Sequence, residues 1–367
     1  MSLNRSIIYI AIISLAYALT TGPAVSATTI VLYPPDLALV NGESDPLPLA
    51  NGKFSIGSIP SGSIPAYFSV NGSNSMVVLD GFIDTNPPRP RTVTIAGATP
   101  KSKVSWSAVI STLASSIGYI LEGNGTQSTL SAQVTIYNRS DTPFTPSKIQ
   151  IKIGDPLLRD LPQPGVFMKT MTEMPRGPMA DDFSYFYDVD TRVTIAPNQI
   201  AVVPIFGPLT VKEKIIYQFI GNHVGESDTP IQLDRQIMFK NTTNHALAPG
   251  NVRVIRNGQL ISIGTIGGIP LDGDVRISTG RSLEVTGTRK VIGRTVDGVR
   301  EDTIDVTLAN ASVKPVAIEV IESAWGNASI LRASQPYTRV GANRYLFPVT
   351  LAAKQSVTVQ FVVRYQP

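Results

Sequence analysis

The chain of 367 residues contains no cysteine, which excludes disulfides and thiolate metal sites whatever the compartment. Its two histidines, His223 and His245, fit no two-histidine zinc spacing, and there is no cysteine to complete such a site. Charged residues make up 16% of the chain, and the positive ones are scattered. The formal net charge of +4 therefore describes a solvated surface, without the clustered basic patch that nucleic-acid binding needs. There is no Gly-x-Ser-x-Gly elbow, no phosphate loop and no Gly-x-Gly-x-x-Gly turn. Long helical periodicities are missing too. No catalytic residue, cofactor-binding residue or metal ligand is assigned, and the chain reads as non-enzymatic.

What is present is apolar and β-prone. Hydrophobic residues reach 43%, with 29 glycines and 28 prolines, and Val, Ile, Thr and Ser are abundant. Such a composition favours many short strands joined by tight turns. The length allows two or three domains with real cores. Without disulfides the fold rests on its core and its ladders, which suits large sandwiches better than small stapled modules.

The stretch 237–258 organises the rest. An apolar segment (Ile237, Met238, Phe239) meets an Asn-Thr-Thr-Asn turn, and Ala248-Pro249-Gly250 leads into alternating Val252, Arg253, Val254, Ile255 and Arg256. Asn257-Gly258 then marks a hairpin. The phrase recurs at 133–154 and at 305–322: a strand, Asn-x-Ser/Thr, a Pro- or Ala-containing connection, a second alternating strand. Its asparagines, Asn138, Asn241 and Asn310, are 241 − 138 = 103 and 310 − 241 = 69 residues apart. Unequal spacing argues for separate sandwich-like units, not a regular solenoid.

The expected fold is all-β and multi-domain, with antiparallel sandwich-like units. Residues 28–86 form an N-terminal β module closed by the stiff connector Asn86-Pro-Pro-Arg-Pro90. A middle sandwich covers 91–212, where Val104 and Trp106 share the buried face of a strand. A C-terminal sandwich covers 214–367 and ends on an alternating strand at 356–365. Residues 157–180, rich in Pro and Met, read as a long loop. Residues 1–27 read as an export signal: Arg5, an apolar run over 7–19 too short to span a bilayer comfortably, then the site Val25-Ser26-Ala27. No second run of that kind follows, so no transmembrane span is expected after cleavage.

Two features bear on chemistry. The cluster Asp181, Asp182, Asp188 and Asp190 offers carboxylates of the kind calcium prefers. It lacks the EF-hand pattern, however, and its interleaved aromatics (Phe183, Tyr185, Phe186, Tyr187) are spaced as on a strand. The other feature is glycosylation: Asn71, Asn124, Asn138, Asn241, Asn310 and Asn327 each begin an Asn-x-Ser/Thr sequon. Asn138, Asn241 and Asn310 are expected to be exposed, because they fall in turns between strands.

Leu32-Tyr33 with Asp36-Leu-Ala-Leu-Val40, then Pro48-Leu-Ala-Asn-Gly52, resembles the opening of proteins related to mucoidy inhibitor A. Leu247-Ala-Pro-Gly-Asn-Val-Arg-Val-Ile255 is similar to that family's C-terminal signature. Asn310 with Pro315-Val316 matches its later phrase, and Trp325 stands where its usual tryptophan lies. The resemblance implies a multi-domain β protein of a family classed as a domain of unknown function, with no catalytic residues to carry over. Many relatives carry a coiled coil after the N-terminal unit; here only the Pro-rich connector stands in its place.

The expectation is a secreted, glycosylated cell-surface or extracellular protein acting in structure or adhesion. Its partners would be other cell-envelope proteins, itself or glycans, with no nucleic acid and no cofactor. The alternative is an extracellular ligand- or glycan-binding module using 157–187 as its recognition loop; a hydrolytic enzyme without a recognisable motif is third. The charged start, short apolar run and small-residue site predict that the mature protein begins at Thr28. N-terminal sequencing checks this, and a mature chain that begins at Met1 and partitions with membranes would overturn it.

Overall fold

The computed structural model describes residues 27–44, 47–48, 54–55, 64–71, 73–74, 77–80, 92–95, 99, 101–124, 127–140, 143–153, 185–189, 192–221, 227–296 and 299–366. Residues 1–26 of the expected export signal 1–27, the expected connector 86–90 and the expected loop 157–180 lie outside them. In chain order the first strands are β1 (Ala27–Tyr33), β2 (Leu37–Ser44), β3 (Leu47–Pro48), β4 (Phe54–Ser55), β5 (Ile64–Val70), β6 (Ser73–Asn74), β7 (Val77–Asp80) and β8 (Thr92–Ile95). There follow β9 (Val104–Ile110), β10 (Leu113–Gly123), β11 (Gln127–Asn138), β12 (Lys148–Ile153), β13 (Tyr185–Val189), β14 (Ile200–Lys212), β15 (Lys214–Ile220), β16 (Ser227–Lys240) and β17 (Gly250–Arg256). The last are β18 (Gln259–Ile266), β19 (Asp274–Val296), β20 (Arg300–Asn310), β21 (Val316–Ser323), β22 (Asn327–Ala333), β23 (Thr338–Arg339), β24 (Arg344–Leu351) and β25 (Ser356–Gln366). The protein is all-β. Among the described residues no helix is long and apolar enough to cross a membrane.

The strands build a seven-stranded sheet (β13-β12-β1-β2-β9-β5-β6), a five-stranded sheet (β14-β11-β10-β17-β18), a nine-stranded sheet (β22-β25-β20-β19-β16-β15-β21-β24-β23) and a small sheet (β3-β4-β8-β7). Period-two patterning makes them. Along β11, residues from Ser128 to Asn138 alternate buried and half-buried, so one face is offered to a core. One core joins the seven- and five-stranded sheets, with Leu32, Trp106 and Ile151 from the first and Ile117, Val134 and Val254 from the second. A second core, including Phe219, Val306, Phe347 and Phe361, belongs to the nine-stranded sheet. That sheet must curl. β22 ends at Ala333 and β23 begins at Thr338 at the other extreme of the order, yet five residues reach at most about 18 Å, whereas nine flat strands would separate their ends by about 38 Å.

The repeated phrase has a structural counterpart in each copy. The strand before the asparagine (β11, β16, β20) pairs antiparallel with a later strand of the same copy (β14, β19, β25). The strand after the asparagine (β12, β17, β21) leaves for another place and pairs in parallel with β1, β10 and β15 respectively. It takes its antiparallel neighbour (β13, β18, β24) with it. Each copy thus hands a strand pair to the sheet of the preceding segment.

This hand-over sets strand direction and sheet membership. The three larger sheets each hold one parallel pair and the small sheet is purely antiparallel; a parallel pair needs only a long crossover, and residue alternation carries no strand direction. Some ladders run between strands from different segments of the expected division 28–86, 91–212 and 214–367. β2 pairs with β9, β8 pairs with β7 and β4, and β17 joins β10. The Arg256 guanidinium binds the Glu213 carboxylate at 2.7 and 2.8 Å, which ties the end of β17 to the β14–β15 junction. The Asn257-Gly258 hairpin stands as expected: Arg256 pairs with Gln259, and both turn residues have positive φ, 50° and 74°, as a two-residue primed turn requires.

Trp106 is 1% exposed, and Val104 on the same face is also buried. The indole lies against its cross-strand partner Gly42, where an added Cβ would meet Trp106 Cζ2 at 2.5 Å. Two substitutions follow. Trp106→Ala is expected to cost about 3–5 kcal/mol by emptying the site, and Gly42→Ala to destabilise by overpacking it. Denaturant melts measure both, and a Trp106→Ala melt that overlays the wild type would contradict the packing.

Candidate functional site

The three asparagines of the repeated phrase form one device. Asn138 ends β11, Asn241 follows β16 and Asn310 ends β20. Each Oδ1 accepts from the backbone N–H and the hydroxyl of the residue two further on: 3.0 and 2.6 Å from Ser140, 3.2 and 2.7 Å from Thr243, 3.0 and 2.7 Å from Ser312. Each Nδ2 donates to a distant carbonyl: Ile195 at 3.0 Å, Pro270 at 2.9 Å, Ala352 at 2.9 Å. In the last two copies it also reaches the carbonyl four residues on, His245 or Lys314. Each asparagine backbone N–H donates to Gln199, Gly273 or Gln355.

The distant segments are equivalent turns, 196–199, 270–273 and 352–355, each closed by the fourth N–H onto the first carbonyl. The third residue is left-handed in all three: Asn198 and Asp272 at φ 58°, Lys354 at φ 59°. Just beyond each staple a buried side chain (Phe144, Leu247, Val316) pairs with the residue that precedes the turn (Ile195, Ile269, Leu351). The carboxamide therefore fastens a sheet-changing corner to the turn that starts the returning strand.

The expectation of exposure at these positions is overturned. Asn138, Asn241 and Asn310 are 1%, 1% and 2% exposed, and a glycan would have to occupy an Nδ2 already donating inside the fold. All three serve as structural residues in the fold. Asx geometry needs the same Asn-x-Ser/Thr spacing that a sequon has, so the pattern alone does not separate them. Asn71, Asn124 and Asn327 are exposed. Asn71 has φ 49° at the β5–β6 turn and accepts from the Lys103 N–H at 2.9 Å. Asn124 lies in the β10–β11 turn, and Asn327 opens β22 two residues after the exposed Trp325.

Of the acidic cluster, Asp181, Asp182 and Asp190 lie outside the described residues. Asp188 faces outward on β13 and meets Lys148 Nζ at 3.0 Å, while Gln150 Nε2 donates to it at 2.7 Å. The Gln150 hydrogen bond, then that of Lys148, holds its carboxyl below the ordinary aspartate range. Among the described residues no group of three or more His, Asp or Glu is placed to hold a metal. Tyr187 is buried and donates its hydroxyl to the Ala246 carbonyl, and Tyr119 does the same to Ala248 at 3.0 Å. Burial raises both phenols. His245 is exposed in the turn with its ring 5.1 Å from that of Tyr187; His223 lies outside the described residues, as does 157–184 of the expected recognition loop.

Two features were not read from the sequence. One is the edge strand β18, whose Leu260, Ile261 and Ile263 are exposed. Among the described residues other edges are guarded: β14 carries Pro204 and Pro208, β13 carries Asp188, β22 carries Arg332, and β3, β6 and β23 have two residues each. β18 has neither charge nor proline, and its one irregularity is a bulge beside Ile261. The uncharged stretch 259–266 after Asn257-Gly258 was the available signal. The other is a groove of about 740 Å³ between the Pro34-Pro35 turn, β10, the end of β12, the 248–251 segment and the end of β18. Its walls come from positions 34 to 268, so no local pattern announces it. No protein-family model and no curated protein matches this chain.

Removing a staple leaves the Ser/Thr N–H and a buried carbonyl short of partners, at about 1–3 kcal/mol each. Asn241→Ala is expected to destabilise accordingly, and Asn241→Asp more so, because a carboxylate then faces the His245 and Pro270 carbonyls. Chemical denaturation of the variants measures this, and wild-type midpoints would contradict the staple. Peptide mapping of protein from a glycosylating host is expected to find sugar only at Asn71, Asn124 or Asn327; a glycan on Asn310 in folded protein would contradict the assignment.

Proposed function

We propose that this chain is a secreted, non-catalytic cell-surface protein acting in structure or adhesion, and that it associates with a second copy of itself through β18. The carrying observation is that open strand. Its outer backbone edge is last in the five-stranded sheet, its side chains Leu260 and Ile263 are 57% and 62% exposed, and it lacks the charge and proline that guard the other long edges. Strand addition uses such an edge, main-chain hydrogen bonds supplying affinity. A two-fold antiparallel pairing of β18 with itself about Ser262 sets Ile261 against Ile263 with no like charges opposed. Export rests on residues 1–27, and exposed sequons at Asn71, Asn124 and Asn327 suit a glycoprotein. Kinship with the relatives of mucoidy inhibitor A rests on the segments 32–40, 48–52, 247–255 and 310–316 and on Trp325.

Sedimentation equilibrium over a hundredfold concentration range tests the association. Wild type is expected to show a monomer–dimer equilibrium, and Ile263→Lys to remain monomeric with an unchanged melting temperature. A wild type that stays monomeric throughout overturns self-association and leaves a single-chain binding module as the better description.

A further inference from the structure

We propose that the outer face of the five-stranded sheet binds an extended, uncharged β-1,4-linked polysaccharide, laid across the strands along the row Pro204, Gln133, Gly118, Asn251 and Thr265. The row follows from the register. Gln133 stands opposite Pro204 on β14 and Gly118 on β10, Gly118 opposite Asn251 on β17, and Asn251 opposite Thr265 on β18. Their chain neighbours Val203, Val134, Tyr119, Val252 and Ile266 are buried in the core, so the row itself faces away from it. Pro204, Asn251 and Thr265 are exposed, and Gln133 and Gly118 are half-buried.

Gly118 is the residue that points to a ligand. A glycine inside a strand weakens it, and it often marks the close approach of a ligand or of another backbone. At other positions the packing of this chain supplies the reason. An added Cβ would meet Trp106 at 2.5 Å from Gly42, the Ile117 carbonyl oxygen at 2.5 Å from Gly250 and Phe219 at 2.8 Å from Gly287. At Gly118 the same atom would find only Gln133 Cγ, at 3.9 Å, and the backbone there takes no left-handed φ. Neither packing nor conformation calls for a glycine, yet its presence opens a trough at the centre of the face. Ser116 and Thr135 border the trough on one side, Ile120 and Arg253 on the other.

The chemistry of the row selects the ligand. The Gln133 and Asn251 carboxamides and the Thr265 hydroxyl are uncharged, and each both donates and accepts, as sugar hydroxyls require. Among the described residues none of these three side chains is engaged in a hydrogen bond. The Pro204 ring adds C–H surface at one end. Neighbouring strands lie about 4.8 Å apart, close to the repeat of an extended β-1,4-linked chain, so successive sugars meet successive strands. Five strands span about 19 Å, the length of about four sugars, whereas a curved α-linked chain leaves the row after its first contacts. The adhesion reading supplies only the setting: strand pairing would use the backbone edge of β18 and leave the Thr265 side chain on the face.

Isothermal titration of the full chain with cellohexaose tests the inference, with maltohexaose as the α-linked match and cellobiose as the short one. Wild type is expected to bind one cellohexaose per chain, and to bind maltohexaose and cellobiose at least tenfold more weakly. Gln133→Ala and Asn251→Ala should each weaken cellohexaose binding at least fivefold. Gly118→Val, which fills the trough, should abolish binding without lowering the melting temperature, because a β-branched residue suits a strand better than glycine does. The absence of cellohexaose binding overturns the proposal, as does equal binding of maltohexaose or binding undiminished in both alanine variants. Those two variants decide the matter even if Gly118→Val fails to fold. Because β18 pairing is read by sedimentation and this face by calorimetry, either proposal can fail without the other.

Discussion

A buried asparagine carboxamide sets the course of this chain three times. Where a strand leaves one sheet for another, its backbone loses ladder partners, and buried N–H and C=O groups without partners are costly. A carboxamide is a donor and an acceptor on one planar group. At Asn138, Asn241 and Asn310 its oxygen closes the local turn and its nitrogen holds a carbonyl on a distant one. An ionised aspartate lacks the donor, and a serine hydroxyl carries both functions on one atom, not on two separated ones. The corner and the returning strand are therefore fastened by this side chain together with the asparagine N–H and the paired residues just beyond it.

The path of the sheets follows from these corners. Because the strand after each staple adds to an earlier segment, the middle copy has β17 and β18 in the five-stranded sheet and β16 and β19 in the nine-stranded one. Ile237, Val254 and Ile277 accordingly lie in the same core as Trp106 and Leu32. Successive segments share hydrogen-bond ladders, which close edges that separate sandwiches would leave open. Among the described residues the outer edge of β18 stays open without charge or proline, and a notch remains beside the first half of β10 where β17 has not yet begun. The proposed strand pairing falls at that edge, and the proposed polysaccharide row crosses the same five strands.

Electrostatics is secondary to this arrangement. The Arg256–Glu213 pair is nearly inaccessible, with the glutamate side chain fully enclosed and the arginine 15% exposed. Burying such a pair carries a desolvation penalty that can match its attraction, so its clearest contribution is to the register of β17 against the β14–β15 junction. Asp188 illustrates the same point at the surface. Its neighbours Lys148 and Gln150 on β12 occupy the carboxylate, which reads as a cation ligand only when those neighbours are unknown.

Much of the local structure was legible in the residues. Alternation at 128–138 and 252–256 identified strands, Asn257-Gly258 identified a primed hairpin, and the shared face of Val104 and Trp106 identified a core position, because each depends on near neighbours in the chain. The recurrence of the Asn-x-Ser/Thr phrase was legible as well; its meaning was not. A glycan acceptor and an Asx corner use the same spacing. What separates them is whether Nδ2 faces water or the carbonyl of Ile195, Pro270 or Ala352, and those partners lie 57, 29 and 42 residues away. By itself the sequence determined that this chain is built of β strands held by an apolar core without disulfides, since periodicity and composition are local quantities. Only the tertiary structure decided which strands share a sheet, which asparagines are buried, and where an edge and a groove stay open, because hydrogen-bond partners and walls are chosen in space among residues far apart along the chain.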